Sequence, residues 1–207
     1  QRNNAHRIIE ECMLAANVCA AKFLQKYNLP ALYRVHEGPK NEKLENLRAF
    51  LKELSIPFMV RTEPKPSDYQ EVLGSIKDRP DFELIQTVML RSMNQAVYSP
   101  ENKGHFGLSY GAYAHFTSPI RRYPDLLVHR AIRYFVRSGK ESTNAKRTAD
   151  APPIPQQKIL PYDAAAMVEL GEQCSMTERR ADEATWDVIG WLKCEYMSDK
   201  IGDVFKG

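Results

Sequence analysis

The chain has 207 residues, 43% of them hydrophobic, enough for one domain with a sizeable core. Its formal charge of +3 comes from 29 Lys and Arg against 26 Asp and Glu, too small an excess to argue for nucleic acid by itself. No leader-like stretch or bilayer-length apolar run occurs, and the four cysteines show no zinc-like spacing, so a reduced cytoplasmic protein with no membrane role is expected.

Asn4 can cap a first helix over residues 5–27. Ile9, Cys12, Met13, Ala16, Cys19, Ala20, Phe23 and Leu24 share one broad face of it, so Cys12 and Cys19 are expected to be buried thiols. Glu10 and Asn17 sit at the edge of that stripe, seven residues apart. A carboxylate there must find a donor or stay uncharged, and the plainest reading is a partly solvated edge pair. Asn28-Leu29-Pro30 ends the helix, and residues 31–37 alternate as a short strand in which His36 reads as structural. After the Gly38-Pro39 turn, residues 41–55 form an amphipathic helix with Leu44, Leu47, Phe50, Leu51 and Leu54 inward. A loop over 56–66 carries one short strand around 58–60. Ser67 caps a helix over 68–77, and Asp81 one over 82–97 with Leu84, Ile85, Val88, Met89 and Met93 inward.

The densest stretch follows: HFGLSYGAYAHFTSPIRRYPDLLVHR, residues 105–130. Residues 105–110 and 113–117 read as short strands, with Gly107 and Gly111 allowing close approach. Ser118 before Pro119 reads as a helix cap with proline in the first helical position. Pro124 re-aims that helix, which then runs over 125–136. Arg121 and Arg122 stand at the mouth of a turn with free backbone N–H groups, and a planar guanidinium can grip a phosphate with two hydrogen bonds. The competing reading is a solvated or salt-bridged pair, since Asp125 lies four residues after Arg121. His115 reads as structural. Residues 138–161, rich in Ser, Thr, Lys and Pro, are expected to be a mobile surface loop. Asp163 starts a last helix, Gly171 is a point where it can break, and Ser175 with Glu178 makes a capping box for its continuation to Met197. Ala181, Ala184, Val188, Trp191 and Leu192 follow helical spacing. Glu178, Arg179, Arg180, Asp182 and Glu183 read as a solvated or ion-paired face.

HFGLSYGAYAHFTSPIRRYPDLLVHRAI resembles the signature of the RNB catalytic domain of the ribonuclease II/R family. AHRIIEECMLAANVCAAKFL resembles that family's helix downstream of its acidic cluster, and GEQCSMTERRADEATWDVIGWLKCEYM its last long helix. TSPIRRYPDL, LRSMNQAVY and CSMTERRADEA are closer in wording to the ribonuclease R branch. The resemblance implies a mainly α chain with a few short β-strands, the C-terminal half of an α/β catalytic domain over residues 1–200. Residues 201–207 resemble the start of a following OB-type RNA-binding domain. It also implies a processive, hydrolytic 3′→5′ exoribonuclease that releases nucleoside 5′-monophosphates. Its partners would be single-stranded RNA or the 3′ end of structured RNA.

Carried over residue by residue, Arg121 is the catalytic candidate, stabilising charge at the phosphate. Glu10 would contact the ribose, whose 2′-OH DNA lacks. Asn17, His105, Thr117, Ser118, Arg122, His129 and Arg130 complete the substrate-binding candidates, Thr117 and Ser118 also shaping the turn, and a structural role is the alternative for His105, His129 and Arg130. Arg122 has the alternative of pairing with an acid of the last helix. Trp186 stands where the family usually has arginine, so no polar role is implied there. The family's chemistry resembles two-metal hydrolysis with magnesium held by an Asp-x-Asp-Asp cluster. That pattern does not occur in this sequence. The cluster is expected upstream of Gln1, with no metal ligand and no bound Mg2+ in this chain and no activity from it alone. Apolar surface exposed by such a cut would favour non-native self-association. The reading from another class is a non-catalytic helical RNA-binding or scaffold domain.

Overall fold

The computed structural model describes residues 2–58, 64–137 and 154–205. The strand expected around 58–60 rests largely on residues outside these, as does most of the loop expected at 138–161. The fold is mainly helical with two short strands, as expected.

Helix α1 (Asn4–Lys26) is capped by Asn3, not Asn4: the Asn3 side chain accepts the His6 N–H at 3.0 Å. Only its second half packs, through Asn17, Ala20, Ala21 and Leu24. Ile8, Ile9 and Met13 are exposed, and so are Cys12 and Cys19, against the expectation of buried thiols. The apolar spacing is there, but nothing among the described residues covers its first turns.

Strand β1 (Tyr33–Val35) pairs antiparallel with β2 (Val97–Ser99), Arg34 opposite Tyr98. β2 falls where the fourth helix was expected to end. The other edge of β1 meets the 104–113 segment. The Arg34 N–H donates to the Tyr113 carbonyl at 2.9 Å, and the Phe106 N–H to the His36 carbonyl at 2.7 Å. The strand expected at 105–110 is reduced to two isolated bridges, His105 with His36 and with Tyr110, and the one expected at 113–117 is irregular backbone with no bridge. Gly104 at φ +75° and Ser109 in the left-handed region turn the chain too sharply for a ladder, and residues 106–108 form a 3-10 turn.

Between the strands sits a lobe of three helices: α2 (Asn41–Glu53), α3 (Pro66–Ser75) and α4 (Phe82–Ser92). Leu47, Leu51, Tyr69, Val72, Ile85 and Met89 form its own core. Leu84, expected inward on α4, is exposed. α3 starts at Pro66, not after a Ser67 cap. The Asp68 carboxylate accepts the Lys65 N–H at 2.8 Å.

The main core joins the second half of α1, both strands, residues 112–114, α5 (Tyr123–Arg137), the short α6 (Gln156–Ile159) and the start of α7 (Ala164–Met197). α7 runs unbroken through Gly171. A Cβ at Gly171 would lie 2.8 Å from the Tyr98 carbonyl oxygen, so glycine lets the helix press against β2. Ser175 is no helix cap: its hydroxyl oxygen accepts the Tyr98 N–H at 2.9 Å and its proton goes to the Gly171 carbonyl. Beyond Arg179 the helix stands clear of the described residues, with Trp186, Val188, Trp191 and Leu192 exposed. Residues 201–205 form a turn and an unpaired tail.

Candidate nucleic-acid interface

The Ser118-Pro119 pair opens a turn of its own, residues 119–121, and does not cap a helix directly. The Ser118 carbonyl accepts the N–H groups of Arg121 and Arg122 at 3.3 and 3.1 Å. α5 begins at Tyr123, with Pro124 in its first turn, where a missing N–H costs nothing.

Asp125 explains the arrangement. Its carboxylate is 0% exposed and accepts three hydrogen bonds. Oδ1 takes the Ser118 N–H at 2.7 Å and Arg122 Nη2 at 2.9 Å, and Oδ2 takes Arg122 Nε at 2.8 Å. The two arginines therefore differ. Arg122 is clamped to Asp125 of α5, not to an acid of the last helix. Arg121 is exposed and has no side-chain partner among the described residues.

Asn17 reaches the same turn from α1. Its Oδ1 accepts the N–H groups of Phe116 and Thr117, at 2.9 and 3.3 Å, and its Nδ2 donates to the Tyr113 hydroxyl at 2.9 Å. Glu10 is half-exposed and ion-paired with Arg2. It lies on the same face of α1 as Asn17, about 10 Å along the axis.

His129 donates from Nε2 to the Phe116 carbonyl at 2.8 Å and stacks on the Phe116 ring at 4.2 Å. Arg130 donates to the Tyr162 hydroxyl at 2.8 Å, which lies 2.6 Å from that of Tyr123. Thr117 and Ser118 contribute backbone groups to the turn. His105 belongs elsewhere: its contacts are with His36, Tyr113 and the Leu108 N–H.

Behind the turn runs a row of rings: His36, His105, Tyr113, His115 and Tyr98, each centroid within 6 Å of the next. Burial, helped by the nearby charges of His36 and Arg34, pushes His105 down to about 4. Burial, with Arg122 and Arg34 adding to it, pushes His115 down to about 3. Its Nδ1 lies 2.9 Å from the Tyr98 hydroxyl, which burial drives up to about 12. At neutral pH these groups are uncharged and serve as packing and hydrogen-bonding elements. The Arg34 guanidinium covers the Tyr98 ring at 4.6 Å and pairs with Glu178 at 2.5 Å, tying α7 to the sheet.

Asp125, Tyr113 and Arg34 were not among the sequence candidates. Asp125 had a local signal, three residues after Arg122 and four after Arg121 in the sequence. Tyr113 had none, because its partner is 96 residues away. Among the described residues no three of His, Cys, Asp and Glu converge as metal ligands. Among the described residues no helix is long and apolar enough to cross a membrane.

Ribonuclease R of Escherichia coli is 51% identical over all 207 residues, and the chain spans 24% of that relative's length. A solved structure of Mycoplasma genitalium RNase R in complex with ribose methylated single-stranded RNA matches 97% of the chain. It does so at TM-score 0.80 and 25% identity, over 29% of its own length. The same enzyme in complex with double-stranded RNA matches 99% of the chain at TM-score 0.81 and 26% identity, over 34% of its own length. The RNB domain model matches residues 1–138. That match takes in α1, the sheet, the three-helix lobe, the arginine turn and α5. On the strength of these elements the chain belongs to the RNB domain family.

Proposed function

We propose that this chain supplies the phosphate- and ribose-contacting part of a processive, hydrolytic 3′→5′ exoribonuclease releasing nucleoside 5′-monophosphates. The observation that carries this is the division of labour in the Arg121-Arg122 pair. Arg122 is neutralised by a buried carboxylate, while Arg121 stands free on a turn held by backbone hydrogen bonds. An unpaired guanidinium carried on a fixed backbone can meet negative charge as it develops on a phosphate. Glu10, on the α1 face that abuts the turn, would accept from the 2′-OH of the same RNA strand. Single-stranded RNA and the 3′ end of structured RNA are the proposed substrates, in keeping with the RNA-bound Mycoplasma genitalium relatives.

Magnesium would supply the activated water, held by acids outside this chain. Without them the chain by itself is expected to be inactive. Residues 201–207 would lead into an OB-type domain, and the cytoplasm is the proposed location.

The test is Arg121→Lys in the full-length enzyme. Lysine keeps the charge and loses the two-pronged geometry. Single-turnover cleavage should fall on the order of a hundredfold, as for loss of one preorganised donor. Affinity for the same oligonucleotide should barely change, since many other contacts sustain it. Intact turnover would leave Arg121 a surface residue and favour a non-catalytic RNA-binding domain. Glu10→Ala should weaken discrimination between ribose and deoxyribose at the cleavage position. Unchanged discrimination would reduce Glu10 to a solvated partner of Arg2.

A further inference from the structure

Three consecutive backbone N–H groups lead into the arginine turn, and two buried side chains capture them all. Asn17 of α1 takes those of Phe116 and Thr117, and Asp125 of α5 takes that of Ser118. The Phe116 carbonyl on the same stretch accepts from His129. The chain therefore enters residues 119–121 along a direction set by two helices.

Asn17 is 4% exposed, and both of its polar atoms are spent inside the protein. The position needs an acceptor for two N–H groups and a donor for the Tyr113 oxygen. A carboxamide supplies both without burying a charge, whereas a carboxylate brings a charge and an aliphatic side chain satisfies neither. Asn17 is also where α1 grips the turn. Glu10 rides two helical turns along that face, so one contact sets the spacing between Glu10 and Arg121.

We propose that Asn17, held by Tyr113, is a positioning residue: it fixes the arginine turn relative to α1 and does not touch RNA. The proposal rests on the reading of Arg121 as the group that meets the phosphate. Loss of the Asn17 contact leaves the guanidinium in place chemically but lets the turn and α1 shift against each other.

The experiment uses the full-length enzyme with Asn17→Ala, Tyr113→Phe, Arg121→Ala, and each of the first two combined with Arg121→Ala. Single-turnover cleavage and affinity are measured on one oligonucleotide well below the melting temperature of every variant. Asn17→Ala should slow cleavage about tenfold or more, in the range a misplaced group costs, with affinity nearly unchanged. Tyr113→Phe removes only the hydroxyl that anchors Asn17 and should slow cleavage less, in the same direction. Combined with Arg121→Ala, neither should add its full effect, because both act through that arginine.

Unchanged cleavage in both single variants overturns the proposal. So do effects that multiply fully in the double variants, which mean independent action, or an Asn17→Ala affinity loss that matches the rate loss, which means direct contact with RNA. If Asn17→Ala does not fold, the Tyr113→Phe cycle decides alone. If Arg121→Ala cleaves normally, the reading of Arg121 fails and the proposal falls with it. A slow Arg121→Ala beside normal Asn17→Ala and Tyr113→Phe sinks the positioning role only.

Discussion

Replacing Asp125 with asparagine should destabilise the protein by about 3 kcal/mol, near the lower end for breaking a buried ion pair. The side chain is 0% exposed and that of Arg122 is 20% exposed, so solvent can rescue the abandoned guanidinium only in part. Oδ1 of the new amide can still accept from Ser118 and from Arg122 Nη2. Its NH2 group then occupies the place of Oδ2 and points donor to donor at Arg122 Nε. One charge-assisted hydrogen bond is lost, roughly 1.5–3 kcal/mol, and the charge of Arg122 loses its counter-charge. For a chain of this size each kcal/mol moves the melting temperature by about 2–4 °C, so a drop of about 6–12 °C is expected. Thermal scans and urea unfolding of Asp125→Asn measure it. The added change Arg122→Met removes the orphaned charge and should recover part of the loss. A melting temperature within about 2 °C of the parent, against that expectation, would refute the claim that this carboxylate holds the turn.

Gly171→Ala tests how closely α7 packs on β2. Helix propensity alone would favour alanine by up to about 1 kcal/mol. The new Cβ meets the Tyr98 carbonyl at 2.8 Å, and overpacking costs about 1–3 kcal/mol, so net destabilisation is expected by urea unfolding. The ring row should make stability depend on acid. His36, His105 and His115 all have lowered values in the folded state, so the unfolded chain binds protons first as pH falls below about 6.5. Stability should be full above that pH and drop progressively toward pH 4, and a melting temperature equal at pH 7 and pH 5 would contradict it. The exposed face of α7 should drive the isolated chain to associate. Trp186→Lys with Trp191→Lys should lower the mass seen by light scattering, and an unchanged mass would place the association elsewhere.

Periodicity served well where a helix is covered along its length. In α2, Leu44, Leu47 and Leu51 are buried, as their spacing indicates. It served less well where cover stops partway. Ile9 and Met13 of α1, and Val188, Trp191 and Leu192 of α7, have core-like spacing yet face solvent. A hydrophobic stripe says which side of a helix is apolar and nothing about how far its partner extends. Local capping rules misled at Ser175 for a related reason. A Ser followed three residues later by Glu looks like a helix start, but the Ser175 hydroxyl is committed to Tyr98, 77 residues away.

The arginine turn shows the same division within one motif. TSPIRRYPD marks the place and the chemistry, because paired arginines at a Ser-Pro turn suit phosphate. Which arginine is available does not follow from the motif. At four residues Asp125 is spaced to pair with Arg121, and at three with Arg122, and both spacings bring side chains together on a regular helix. The helix, however, starts only at Tyr123, so both arginines lie outside it and helical spacing does not decide between them. The decision comes from Ser118. Its N–H donates to Oδ1 of Asp125 and its carbonyl accepts the N–H groups of both arginines, which closes the turn with Arg122 over the carboxylate and Arg121 directed outward. The buried carboxylate thus sorts two chemically identical side chains into a structural one and a free one.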